Sequence, residues 1–335
     1  MKNVISRLAS MLLGLVLIMG VAAPAQAAFP NKYHPGHYML TYFGATELNA
    51  FKPIINNPNF VGVQKRYKWR TLEPTRGKYD FSMIIRDLNY LRSLPMPKRL
   101  IIQVTVTGDE KGLPHAPDYL RTPEFDGGVY TSTFPVRYVR TKQWNTAVQD
   151  RLIALFRALG ARFDKEPYFE GVVLDETATG IRLHQWTAAN YTAEKAYNGH
   201  KRIMAGLKAA FPNTMCIQFI NFFSGANAKD GLNKIAGLIQ YAHQIGMGIG
   251  GPDIHVGGTE PSYPYFTTYN GSMPLTAAVQ WEDYDWVSPT GSIATVPKIF
   301  DFARNKLHLN YIFWLQREPY FSTQVVPLVR RMGAP

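Results

Sequence analysis

Two short runs decide the reading of this chain, Val172-Val173-Leu174-Asp175-Glu176 and Ala278-Val279-Gln280-Trp281-Glu282. Each is an apolar stretch of strand length that ends abruptly in a carboxylate. Continuous apolar runs without alternation suit strands buried on both faces, the condition of a parallel sheet covered by helices. Working outward, β-prone runs recur at 37–43, 60–66, 99–107, 169–174, 214–221, 246–253, 275–281 and 309–315. Between them, 81–94, 141–163 and 191–211 return apolar residues every three or four positions; Leu152, Leu155, Phe156 and Leu159 make the clearest helical stripe. Strand and helix alternating in this way predict an α/β chain folded as one (β/α)8 TIM barrel. The sixth strand is the weakest, because Gly246, Gly248, Gly250 and Gly251 lower β propensity; glycines there are expected to admit a ligand close to the backbone.

The first 27 residues stand apart. Lys2 and Arg7 precede an apolar run that ends at Ala25-Gln26-Ala27, the pattern of a cleaved signal peptide, and the run is too short for a confident membrane span. The expectation is a secreted or periplasmic protein whose barrel occupies residues 28–335, with no stable membrane span after cleavage. No Gly/Ser-rich linker, charge block or internal repeat divides that region. The single Cys216 lies within an apolar run and reads as a small buried hydrophobe.

The formal charge of +12 drops by two without Lys2 and Arg7. A basic balance favours an anionic glycan or an anionic surface, and serves equally as a solvated exterior. No Lys/Arg-dense run interleaved with aromatics points to nucleic acid.

In such barrels, functional groups gather at the carboxyl ends of the strands. The residues at those places are Arg66 and Trp69, Asp109 and Glu110, Asp175 and Glu176, Asn221, Asp253 and His255, Trp281 and Glu282, and Trp314. Two carboxylates facing one pocket are the minimum equipment for cleaving a glycosidic bond. Glu176 is therefore expected as acid/base and Glu282 as nucleophile. Arg66 and Asn221 are expected to orient the nucleophile or a sugar hydroxyl, and Trp69, Trp186, Trp281, Tyr284, Trp286 and Phe223 to line a rim suited to an extended glycan.

These positions resemble the clan A glycoside hydrolases, retaining barrel enzymes whose acid/base follows the fourth strand and whose nucleophile follows the seventh. The segment Trp69-Arg70-Thr71-Leu72-Glu73-Pro74 followed by Gly77-Lys78-Tyr79-Asp80-Phe81 is similar to one found after the second strand in several of these families. The resemblance implies a polysaccharide or oligosaccharide substrate, no cofactor and no metal, and makes Trp314 the aromatic floor of the sugar site. One departure is visible: Asp175 stands where the clan usually has Asn. A neighbouring acid raises the proton affinity of Glu176, which suits a general acid, and is equally compatible with a barrel that has lost its rate.

Two other readings stand beside this one. A non-catalytic glycan-binding barrel of an envelope or exopolysaccharide system would need only the aromatic platform. A metal-assisted hydrolase would use Asp175, Asp253 and His255, since Asp253-Ile254-His255 is a ligand-like pair; it is disfavoured by the scarcity of histidines at productive spacing.

Overall fold

The computed structural model describes residues 29–41, 47–108, 114–132 and 138–332. The expected signal segment 1–27 lies outside the described residues, as do Asp109 and Glu110. Among the described residues there are ten strands: β1 (Gly36–Thr41), β2 (Phe60–Lys68), β3 (Arg99–Thr105), β4 (Val129–Ser132), β5 (Tyr138–Thr141), β6 (Phe169–Leu174), β7 (Met215–Phe219), β8 (Gly248–Gly251), β9 (Leu275–Val279) and β10 (Tyr311–Leu315). Eight of them close a barrel in the order β1-β10-β9-β8-β7-β6-β3-β2, every neighbouring pair parallel. This is the (β/α)8 barrel the alternation predicts.

β4 and β5 form a separate antiparallel pair between β3 and the helix Thr146–Phe163. The sequence reading ran a helix from residue 141, but Thr141 ends β5 and the helix starts only after Asn145, whose side chain accepts from the Val148 N–H. The same capping opens Ala193–Ala210 with Thr192 and Ala228–Gln244 with Asn227. The connections are unequal. Among the described residues, single turns, Leu48–Phe51 and Lys52–Ile55, lie between β1 and β2, and a six-residue helix, Tyr263–Thr268, links β8 to β9.

Alternation along each strand sends one set of side chains into the barrel and the other against the helices. Phe219 and Phe313 meet inside, 6.3 Å between ring centroids. The β8 glycines make room for such bulk. A Cβ on Gly250 would stand 2.3 Å from Thr276 Oγ1 and 2.6 Å from the Phe219 ring, distances no real side chain occupies. The expectation that these glycines serve a ligand is therefore corrected: Gly250 yields its space to the protein's own interior. The outward set includes Lys65, which crosses to Asp87 on the helix Ser82–Arg92 at 2.6 Å with both side chains buried. Cys216 is buried as expected, and burial pushes its thiol up to about 12.

Candidate active site

At the carboxyl end of the barrel, five strands send polar groups into one connected network. Arg66 on β2 donates through Nε to Gln103 Oε1 at 3.0 Å and through Nη2 to Gln280 Oε1 at 2.9 Å. Gln103 on β3 donates in turn to Asp175 Oδ1 at 3.0 Å. The other Asp175 oxygen accepts from the Val106 and Thr107 backbone N–H groups, at 2.8 and 2.9 Å. Gln280, just past β9, donates its amide to the Pro252 carbonyl at 2.7 Å and to Asp253 Oδ1 at 3.1 Å. Asp175 is thus fully committed to holding the β3 and β6 loops together. Its role is to fix the floor of the mouth.

Glu176 stands above that floor. Asn221, following β7, donates Nδ2 to Glu176 Oε2 at 2.9 Å. The amide cannot turn over without loss, because its oxygen accepts the backbone N–H groups of Phe222 and Ala178, at 2.7 and 3.1 Å. Burial first, then the charges of Asp253 and Asp175, raise the Glu176 carboxyl to about 7, against the opposing charges of Arg66 and Arg140. A carboxyl so placed is protonated in a large fraction of molecules at neutral pH. It accepts from Asn221 on one oxygen and has its own O–H to give.

The loop after β9 departs from the expectation. Register places Thr276 beside Gly250 and Ala278 beside Phe313, so the next inward position is Gln280, an uncharged amide. Glu282 lies two residues further on, exposed, at the start of the short turn Asp283–Asp285. It lines an open cleft of about 540 Å³ with Trp281, Asp285, Trp286, Val287 and Arg317. The Arg317 guanidinium stands 5.3 Å over the Trp281 ring, and Trp281 is 52% exposed. A second cleft of about 560 Å³ has Arg140, Thr179, Leu183 and Phe222 on its walls. Leu183 and Phe222 are exposed there.

Several expected rim aromatics face elsewhere. Trp314 is wholly buried, and its Nε1 donates to His37 Nδ1 at 3.0 Å, beneath the helix Val296–Asn305. It cannot floor a sugar site, because Phe313 takes the inward place and alternation turns Trp314 outward. Trp69 is also fully buried, donating Nε1 to Glu73 Oε2 at 2.9 Å. Glu73 further accepts from the Gly77 N–H at 2.8 Å and pairs with Arg151. The Trp69–Gly77 segment is therefore a lock for the loop after β2. Tyr284 and Phe223 are buried too, which leaves Trp186, Trp281 and Trp286 partly or largely open.

Asp253 and His255 do come together after β8, with a partner that sequence reasoning missed. Asp283 joins them, each residue offering a donor atom within 4.8 Å of the others, whereas Asp175 stays with Gln103. Burial raises the affinity of both Asp253 and Asp283 for protons; the charge of Asp253 adds to it for Asp283 and that of Glu282 for Asp253.

No known family profile and no curated protein matches the chain. Solved structures do. The β-galactosidase from the psychrophilic Marinomonas ef1 is similar over 88% of this chain and 59% of its own, at 10% identity and a TM-score of 0.57. A β-galactosidase from Bacillus circulans sp. alkalophilus aligns over 86% of this chain and 51% of its own, at 8% identity and a TM-score of 0.57. Endo-glycoceramidase II from Rhodococcus sp. aligns over 91% and 80%, at 12% identity and a TM-score of 0.52. The chain spans between a half and three-fifths of the two β-galactosidases. At these identities the likeness is one of fold.

Proposed function

We propose that the chain is a glycoside hydrolase acting on a polysaccharide or oligosaccharide, with Glu176 as its acid/base. The observation that carries this reading is the Glu176 carboxyl: at the end of β6, oriented by Asn221, and raised to about 7. A group that holds a proton in a large fraction of molecules at neutral pH and has a free O–H is what a departing glycosidic oxygen requires. The barrel likeness to β-galactosidases and an endo-glycoceramidase is consistent with it. In this reading Glu282 is the nucleophile, reaching the sugar from the Trp281 cleft while Glu176 protonates the leaving group and later activates water.

The pH profile tests the assignment. Because the acid form is active and the carboxyl sits near 7, kcat/KM should fall as pH rises through about 7, approaching tenfold per pH unit beyond it. In Glu176→Gln that alkaline limb should disappear, since the titrating carboxyl is gone. A limb that stays in place would remove Glu176 from the proton-donor role.

One observation favours a second reading, a non-catalytic glycan-binding barrel: Gln280 occupies the inward position after β9 where a carboxylate would complete the pair. Absence of turnover with retained glycan binding in the wild type would select it. Under either reading, export to the periplasm or beyond is part of the proposal, resting on the composition of residues 1–27.

The glycan itself is proposed to be anionic. Arg140 and Arg182 stand in the walls of the cleft that holds Thr179, Leu183 and Phe222, with no acid among its described lining residues, within a chain of net charge +12. Affinity for an acidic glycan should drop clearly between low salt and about 0.5 M, where screening acts over roughly 4 Å, and neutral glycans should barely respond. Equal salt dependence of both, measured by calorimetry, rejects the anionic preference.

A further inference from the structure

We infer that Asp253, His255 and Asp283 bind a divalent metal ion of the zinc class where the loop after β8 meets the turn after β9. The three side chains are already committed at one atom each, and the uncommitted atoms converge. His255 Nδ1 lies 2.7 Å from Glu260 Oε1, and the backbone N–H of His255 donates to Tyr263 Oη at 2.8 Å. The imidazole is stacked on Trp286, 3.9 Å between centroids and 16° from parallel. With its Nδ1–H given to Glu260, the ring presents the Nε2 lone pair in a fixed direction. That carboxylate–histidine arrangement is how proteins orient an imidazole for a metal.

Asp283 is fully buried; its Oδ2 accepts the Gln280 backbone N–H at 2.6 Å. Its Oδ1 and His255 Nε2 are both buried without a hydrogen-bond partner, and they face each other at 3.5 Å. Asp253 accepts from the Gln280 amide through Oδ1 and offers a carboxylate oxygen to the group. Zinc–ligand bonds of about 2.0 to 2.2 Å place neighbouring ligand atoms roughly 3 to 3.5 Å apart, which the His255–Asp283 pair already satisfies. The wider separations in the cluster, up to 4.8 Å, would close to roughly 3.5 Å around the ion, with a water as a further ligand.

Charge balance points the same way. Asp253, Glu260 and Asp283 surround one imidazole, so three acids meet a single basic group. Partly buried charge without a partner is costly, and a divalent cation offsets it. Asp253 and His255 are only half-buried, which gives the ion a way in. A bound ion would also tie the segment carrying Trp281 and Glu282 to the β8 loop. It would act on the geometry of the cleft and, by offsetting the charge of Asp253, on the Glu176 carboxyl as well.

The test uses the full chain, stripped with a chelator and titrated with ZnCl2 by calorimetry. One ion per chain is expected, together with a rise in Tm on loading and, with Co2+ in its place, a visible ligand-field spectrum. His255→Ala should abolish binding and the Tm response. Glu260→Gln, which keeps size and fold, should weaken zinc about tenfold to a hundredfold, as loss of a partner behind a metal-bound histidine does. Failure of the wild type to bind zinc at one-to-one, or binding unchanged in both variants, overturns the site and leaves His255–Asp283 as a simple ion pair. None of these readouts depends on hydrolysis, so the metal site and the glycosidase reading fail separately.

Discussion

Glu176→Gln is expected to slow cleavage of an unactivated glycan by about a hundredfold to ten-thousandfold, the range a positioned general acid supplies. The amide keeps the shape and the Asn221 contact but has no acidic proton to give. In kcat/KM the loss should shrink toward nothing for substrates whose leaving group departs without protonation, such as nitrophenyl glycosides, because those do not need the acid in the first step, while kcat stays low because the same residue activates water in the second. Glu282→Gln separates the roles. A nucleophile lost to an amide removes turnover for every leaving group, while a rim residue of the Trp281 cleft changes KM and leaves kcat nearly intact. Steady-state kinetics on both substrate types, with the two variants side by side, read this out. A uniform, modest loss for Glu176→Gln would assign the residue to binding.

What was legible from sequence follows from where each signal is stored. β6 is readable because its burial on both faces is written in its own residues, and the predicted 169–174 coincides with Phe169–Leu174. Asp175 and Glu176 follow from it, since a carboxylate directly after a parallel strand has only the barrel mouth to enter. The facing of an aromatic is stored differently. Trp314 and Phe313 are adjacent, equally apolar and equally buried, and only the register of β10 on β9 and β1 decides which enters the barrel. The same one-residue parity sends Gln280 inward; a search for acids passes over it, although its bonds to Arg66 and Asp253 make it the hub of the mouth. The cluster of Asp253, His255 and Asp283 depends on two loops meeting, and nothing local to Asp283 or Glu260 announces it. Asp253-Ile254-His255 was the one visible half.

A second large effect is expected on stability, far from the mouth. Lys65 Nζ and Asp87 Oδ2 are 2.6 Å apart between β2 and the helix Ser82–Arg92, both side chains wholly buried, and Tyr67 donates its hydroxyl to the same oxygen at 2.7 Å. Asp87→Leu removes the acceptor that Lys65 and Tyr67 share and takes its carboxylate away from the ammonium group inside the barrel wall. Breaking one side of such a pair costs about 3–5 kcal/mol, which should lower Tm by roughly 5–10 °C for a chain of this size. Burial already pulls the Lys65 amine below its ordinary value, against the hydrogen bond and charge of Asp87. Without Asp87 it falls further, so the neutral amine becomes the folded form at lower pH. The sign follows from linkage: the variant's folded state binds fewer protons than its unfolded state, so its stability should recover as pH is raised toward the ordinary lysine range. Adding Lys65→Met to Asp87→Leu should restore most of the loss, because two apolar side chains of similar volume need no partner. Thermal melts of the single and double variants across pH carry the decision. A double variant no more stable than the single one would place the cost in packing or in the orphaned Tyr67 hydroxyl instead of the Lys65 charge.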